Sequence, residues 1–301
     1  METAQLDDRS PRLRIGTAPD SWGVWFADDP AQVPWPRFLD EVVVAGYTWI
    51  ELGPYGYLPT DPHQLEDELG SRGLRLSAGT VFTALHRGEE RWREALSQAR
   101  RIAGLITSLG AEHLVVIPDL WRSDGTGELL EPRTIDDEQW SSLAEGHDLL
   151  GRALLEEFGV SQQFHSHADS HVGTTEEVLR LLDRTDPRYL NLCLDTGHFA
   201  YYGGDSVALM AERPDRIGYL HLKQVDDEVL REVREHDLPF ASAVAIGVMC
   251  EPPGGTPDLL AVLDVAARIT PDMFAIVEQD MYGCSVDAPL PIARRTREHL
   301  S

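Results

Sequence analysis

The sequence is poor in cysteine, in long apolar runs and in basic residues. Only Cys193, Cys250 and Cys284 occur in 301 residues, without CxxC spacing, so neither a disulfide framework nor a thiolate zinc site is indicated. No apolar run approaches the roughly 18 residues that span a bilayer. The opening METAQLDDRSPRLR is polar and carries no apolar secretion signal. With 26 Lys+Arg against 51 Asp+Glu, the formal charge is −25. Nucleic acids and anionic membranes attract proteins through clustered Lys and Arg, so neither is an expected partner. The expectation is a soluble cytoplasmic protein.

Hydrophobic residues at 42% and charged residues at 26% are the mixture of an ordinary folded chain. After a polar lead over 1–12, read as mobile, short apolar runs alternate with segments of helical period. The strand-like runs are 13–18, 48–52, 74–79, 112–118, 160–165, 190–195, 217–223 and 273–278. Amphipathic segments follow at 35–45, 61–71, 89–109, 136–158, 174–183, 206–212, 256–267 and 289–299. Thr174 with Glu177 and the run Thr256-Pro257-Asp258 carry helix-start chemistry. Eight βα units predict the α/β class and a single (β/α)8 barrel over 13–301. An open doubly wound sheet is the alternative, but no GxGxxG follows the first strand. The segments 121–139 and 225–255 exceed what a simple barrel needs, and both are expected at its C-terminal mouth.

Ionisable residues concentrate where strand ends converge on that mouth. The fifth strand ends in Phe164-His165-Ser166-His167, the sixth in Leu194-Asp195-Thr196-Gly197-His198, the seventh in His221-Leu222-Lys223 and the eighth in Val277-Glu278-Gln279-Asp280. His165, Asp195, His221 and Glu278 make a mixed O/N ligand set without sulfur, which suits Mn²⁺, Co²⁺, Mg²⁺ or Zn²⁺. A bound cation would offset the cost of burying their charges.

The motifs CLDTGH, Y-x-HLK and VEQD, following FHSHADSHVGT, resemble the xylose isomerase-like TIM barrel superfamily of sugar isomerases and epimerases, which also contains the endonuclease IV fold. The opening IGTAPDSWGVWF, the block AGYTWIELGPYGYLP and the two-His fifth strand are most similar to its inosose dehydratase-like members. The resemblance runs from about Arg14 to Asp280. It implies a divalent metal, Mn²⁺ first, held by His165 (or His167), Asp195, His221 and Glu278. Members of the superfamily usually carry Glu at the fifth-strand position, where this chain has His165. His198 resembles a histidine that contacts the substrate or supports the metal. Association into a homo-oligomer is a further implication.

The implied reaction is removal of an α-proton from a keto-sugar or inosose through a metal-stabilised enediolate. The outcome is isomerisation, epimerisation or dehydration, according to where the proton or hydroxyl goes. Lys223, His167, His198 and Glu51 are the candidate acids and bases, with Lys or His favoured because their pKa can be set near neutrality. Trp22, Trp25 and Tyr55 could pack against a sugar ring, and Asp20 and Asp119 could bind hydroxyls. Without Arg clusters near the motifs, a neutral polyol or keto-sugar is expected over a phosphorylated one. A lyase of oxidised (3-keto) glycosides, such as a C-glycoside deglycosidase, is an alternative, and an endonuclease IV-like DNA repair enzyme a distant one. The charge of −25 argues against the latter. Filter binding to duplex DNA at low salt is expected to show no retention, and tight retention would refute the charge argument.

Overall fold

The computed structural model describes residues 13–270 and 272–301; the lead over 1–12 lies outside the described residues. In chain order the strands are β1 (Arg14–Thr17), β2 (Trp49–Glu51), β3 (Arg75–Thr83), β4 (His113–Pro118), β5 (Ser161–His165), β6 (Asn191–Asp195), β7 (Ile217–Leu222), β8 (Gln224–Val225), β9 (Met249–Cys250) and β10 (Phe274–Val277). Strands β1 to β7 and β10 are parallel and close into a barrel, with β1 bonded to both β2 and β10. Closure removes the unpaired edge of an open sheet. Helices cover the outside, so each strand is buried on both faces and reads as a nearly continuous apolar run.

Alternation along each strand decides which residues face the axis. In β6, Leu192 and Leu194 join the core beneath the helices, whereas Cys193 lies in the separate cluster inside the barrel. Asp195 shares the parity of Cys193. In β7, Leu220 and Leu222 are helix-facing and Tyr219 is inside, which sends His221 inward. In β10, Phe274 and Ile276 are inside and Ala275 and Val277 outside, so Glu278, one residue beyond the strand, continues the inner row. The register brings Asp195 level with His221, and His221 level with Ile276.

The chain departs from the expected βα rhythm after β6 and after β7. A helix at Thr196–Tyr201 starts directly on Asp195, whose carboxylate accepts the His198 N–H. Its six residues are too few to show a helical period. The stretch expected as a loop over 225–255 holds helices Asp227–Glu235 and Phe240–Ala245 and the antiparallel β8–β9 pair. The following helix begins at Leu259, not at Thr256: Asp258 caps it by accepting the Leu260 N–H, and the Thr256 hydroxyl instead donates to Asp227 at 2.8 Å. At Thr174 the expected capping box with Glu177 is present.

The mouth loops are fastened to one another by buried charge. Arg122, in the segment after β4, places Nε 2.7 Å from Asp169 Oδ2 and donates to the Leu238 carbonyl at 2.7 Å. Asp169 and Asp124 in turn accept the Phe240 and Ala241 N–H groups at 2.9 and 2.6 Å, capping a helix from outside its own chain segment. Loops after β4, β5 and β7 therefore form one layer over the barrel. Removing one partner of a buried pair strands the other charge. Arg122→Met is expected to cost about 3 kcal/mol in urea unfolding, and an unchanged midpoint would contradict the fastening.

Candidate metal centre

His165, Asp195, His221 and Glu278 each offer a ligand atom, and these atoms lie within 4.8 Å of one another. All four residues are buried. Local structure fixes their orientation. Asp195 is at once the last residue of β6 and the cap of the next helix: Oδ1 accepts the His198 N–H at 2.7 Å, which turns Oδ2 toward His165 Nε2 at 3.2 Å and His221 Nδ1 at 3.7 Å. The Thr196 hydroxyl donates to the Lys223 carbonyl at 2.6 Å and accepts the Lys223 N–H at 2.9 Å, fastening the ends of β6 and β7 together. Gly197 leaves room for the lysine, since a Cβ there would stand 2.5 Å from Lys223 Cγ. The D-T-G-H and H-L-K motifs are thus two halves of one device.

Glu51 accepts the His221 Nε2–H at 2.8 Å, which turns Nδ1 toward the cluster. That nitrogen is 2.9 Å from Glu278 Oε2 yet has no hydrogen-bond partner, and His165 Nδ1 is likewise buried without one. Ligands converging on an ion stand close together without pointing at each other. The donors, two imidazoles and two carboxylates, fit a divalent cation of hard or borderline character.

Lys223 lies beside this cluster, with Nζ 2.7 Å from Asp280, 3.1 Å from Glu278 and 3.2 Å from Asp195. Burial alone would lower its pKa, but the three carboxylates raise it well above the ordinary lysine value. Burial also opposes ionisation of Asp195, and Lys223 with the surrounding imidazoles holds it well below the usual carboxylate range. Asp20 goes the other way: burial, Glu278 and Asp280 raise it well above that range.

Two histidines have their tautomers set by one residue. His167 Nδ1 donates to the Ala168 carbonyl at 2.7 Å, leaving Nε2 bare, whereas His198 Nδ1 accepts the Ala168 N–H at 3.0 Å, so its proton is on Nε2. Burial, helped by the neighbouring His165, lowers His167 to about 3. Burial and His167 hold His198 well below the usual histidine value. Both rings are neutral, with centroids 3.9 Å apart.

These groups line a cavity of about 180 Å³ walled by Trp25, Phe26, Phe82 and Phe240. Among the described residues lining it, Lys223 is the only Lys or Arg.

Several expectations need correction. Trp22 does not face the cavity: it is fully buried, its indole N–H donates to Glu41 at 2.9 Å and its ring meets Phe38 edge-on. Tyr55 is 37% exposed and lies outside the lining, where Gly53 and Pro54 stand instead. Trp25 does line the cavity, stacked on Tyr282 with its indole N–H 3.2 Å from Asp280. Glu51 lines the cavity and is engaged with His221 at 2.8 Å. Lys223 Nζ is held among Asp280, Glu278 and Asp195. His167 is not in the ligand cluster; His165 is. Asp119 pairs with Arg87 at 3.5 Å, while Asp20 lines the cavity. Sequence reading missed Phe26 and Asp124 in mouth loops, Phe82 near the end of β3 and Phe240 at the start of a helix in the long segment after β7, none announced by a local pattern.

A closed barrel with a buried O/N ligand set at its mouth defines a metal-binding (β/α)8 protein. The chain belongs to the xylose isomerase-like TIM barrel family, whose model matches residues 39–249. It is 30% identical to an inosose dehydratase of Geobacillus kaustophilus, over 96% of this chain and 94% of that one. It is 33% identical to the rhizopine catabolism protein MocC of Rhizobium meliloti, over 92% and 85%. Among solved structures, IolI with a bound zinc atom superposes with a TM-score of 0.70 at 17% identity, covering 96% and 98% of the two chains.

Groups behind metal-bound histidines usually carry 10–100-fold of metal affinity. Glu51→Gln is therefore expected to weaken divalent-ion binding about 10- to 100-fold in a chelator competition; unchanged affinity would remove Glu51 from the site.

Proposed function

We propose that the chain is a divalent-metal-dependent enzyme that removes the α-proton of a keto-polyol of the inosose type and expels a neighbouring hydroxyl as water. The observation that carries this reading is a neutral histidine, His167, with a bare Nε2 at the cavity, beside the four-ligand cluster and the ammonium of Lys223. Near-full-length similarity to an inosose dehydratase supports the substrate class.

A divalent ion held by His165, Asp195, His221 and Glu278, Mn²⁺ in our reading, supplies Lewis-acid polarisation of carbonyl and hydroxyl oxygens. The rest falls to the chain. His167 Nε2 takes the proton, its ring oriented by the Ala168 carbonyl. Lys223 donates hydrogen bonds to oxygen atoms that gain charge, and it stays protonated because three carboxylates face it. Asp20, kept neutral by burial and two adjacent acids, can give the departing hydroxyl its proton. Trp25 and Phe240 offer apolar faces to ring C–H groups and exclude water. The cavity is below the usual size of a drug-sized pocket, which favours a single ring over an oligosaccharide or nucleotide. With one ammonium and no guanidinium lining it, the substrate carries no phosphate. We place this activity in the cytoplasm, on small molecules and not on nucleic acid. Among the described residues, no helix is long and apolar enough to cross a membrane.

His167→Gln is expected to lower kcat about 10²- to 10⁴-fold while leaving metal content intact. Chelation should abolish turnover of 2-keto-inositol, and Mn²⁺ or Co²⁺ should restore it with the growing absorbance of a conjugated product. Solvent deuterium entering recovered substrate without that absorbance would mean isomerisation or epimerisation, and a rate indifferent to chelation would overturn the metal.

A further inference from the structure

Outside the mouth cavity a second group of ligand-type side chains converges: His86 after β3, Glu131 in the long segment after β4, and His171 after β5. None of the three lines the cavity. His86 and His171 are each 3% exposed, and the Glu131 side chain 13%. His86 Nε2 stands 3.0 and 3.1 Å from the two Glu131 oxygens, and His171 Nε2 stands 3.1 Å from Oε1.

The geometry at His171 points to a ligand. Its Nδ1 donates to the Arg133 carbonyl at 2.9 Å, which turns Nε2 toward Glu131. That nitrogen is buried, lies within reach of a carboxylate oxygen, and makes no hydrogen bond to it. The arrangement matches His221 at the mouth, where Nδ1 is 2.9 Å from Glu278 and equally unpartnered. A backbone carbonyl holding the far ring nitrogen is the usual support of a metal-bound histidine. Arg87 donates to Glu131 Oε1 at 2.8 Å, as outer partners of ligating carboxylates do.

We propose that His86, Glu131 and His171 form a second divalent-cation site, a three-ligand His₂Glu set suited to Zn²⁺ with solvent completing the tetrahedron. The ion would join three mouth loops, with a structural and not a catalytic role. Its ligands come from the segments after β3, β4 and β5, and the β4 segment is the one that carries Arg122 and Asp124.

The test counts zinc per chain by mass spectrometry after chelation, reloading with zinc chloride and gel filtration. The native protein should hold about two ions, and His171→Gln and Glu131→Gln about one each. The double variant D195N/E278Q, which disables the mouth, should retain about one, and adding H171Q should remove it. Equal counts in native and H171Q protein overturn the site. So does a D195N/E278Q protein that holds no zinc, or a zinc that survives all three changes. If H171Q alone does not fold, retention by D195N/E278Q against its loss on adding E131Q decides the matter. Loss of zinc from D195N/E278Q with the ion kept at the mouth of native protein would leave the proposed activity standing and remove this site alone.

Discussion

The structure depends on how it keeps several carboxylates buried together. Asp195, Glu278, Asp280 and Glu51 are buried at one end of the barrel, each at or just past the end of a strand, and the half-buried Asp20 of the first mouth loop joins them. Burying like charges at this spacing is prohibitive without compensation. Lys223 supplies one positive charge, held by three of the acids, and the converging ligand atoms of His165, Asp195, His221 and Glu278 mark where another belongs. A divalent ion would offset two more of the negative charges. The same acids shift the groups around them: against burial they raise Lys223, and together with burial they raise Asp20, whereas burial itself lowers His167 and His198.

The backbone makes this arrangement by coupling neighbouring strands at their ends. Asp195 uses one oxygen to start a helix and so aims the other at the ion. Thr196 bridges to the main chain of Lys223, and Gly197 clears the path of its side chain. Glu51 reaches across the barrel from β2 to His221 on β7. These contacts span distant parts of the sequence, yet each needs only one or two residues of the right type.

Much of this was legible in the sequence because strand parity is a period of two. Counting back from Asp195, His221 and Glu278 through alternating Leu and Val positions already sends all three to the axis, and the barrel places them at one level. What could not be read were groups whose roles depend on non-local partners. Trp22 looked like a sugar platform, but its ring fills the core against Phe38. Lys223 looked like a base until the structure surrounded it with three acids. The helices at Asp227–Glu235 and Phe240–Ala245 were read as loop because they fall outside the βα rhythm, and Phe240 was lost with them. The surplus negative charge belongs in part to the mouth, where Asp20, Glu51, Asp124, Glu278 and Asp280 line the cavity.

The most direct measurement is anomalous scattering from crystals grown with Mn²⁺, recorded on either side of the manganese absorption edge. The account predicts a peak within bonding distance of His165, Asp195, His221 and Glu278, with His167 free of it. A manganese-loaded protein with no peak among those four side chains, or with His167 in the place of His165, would contradict it.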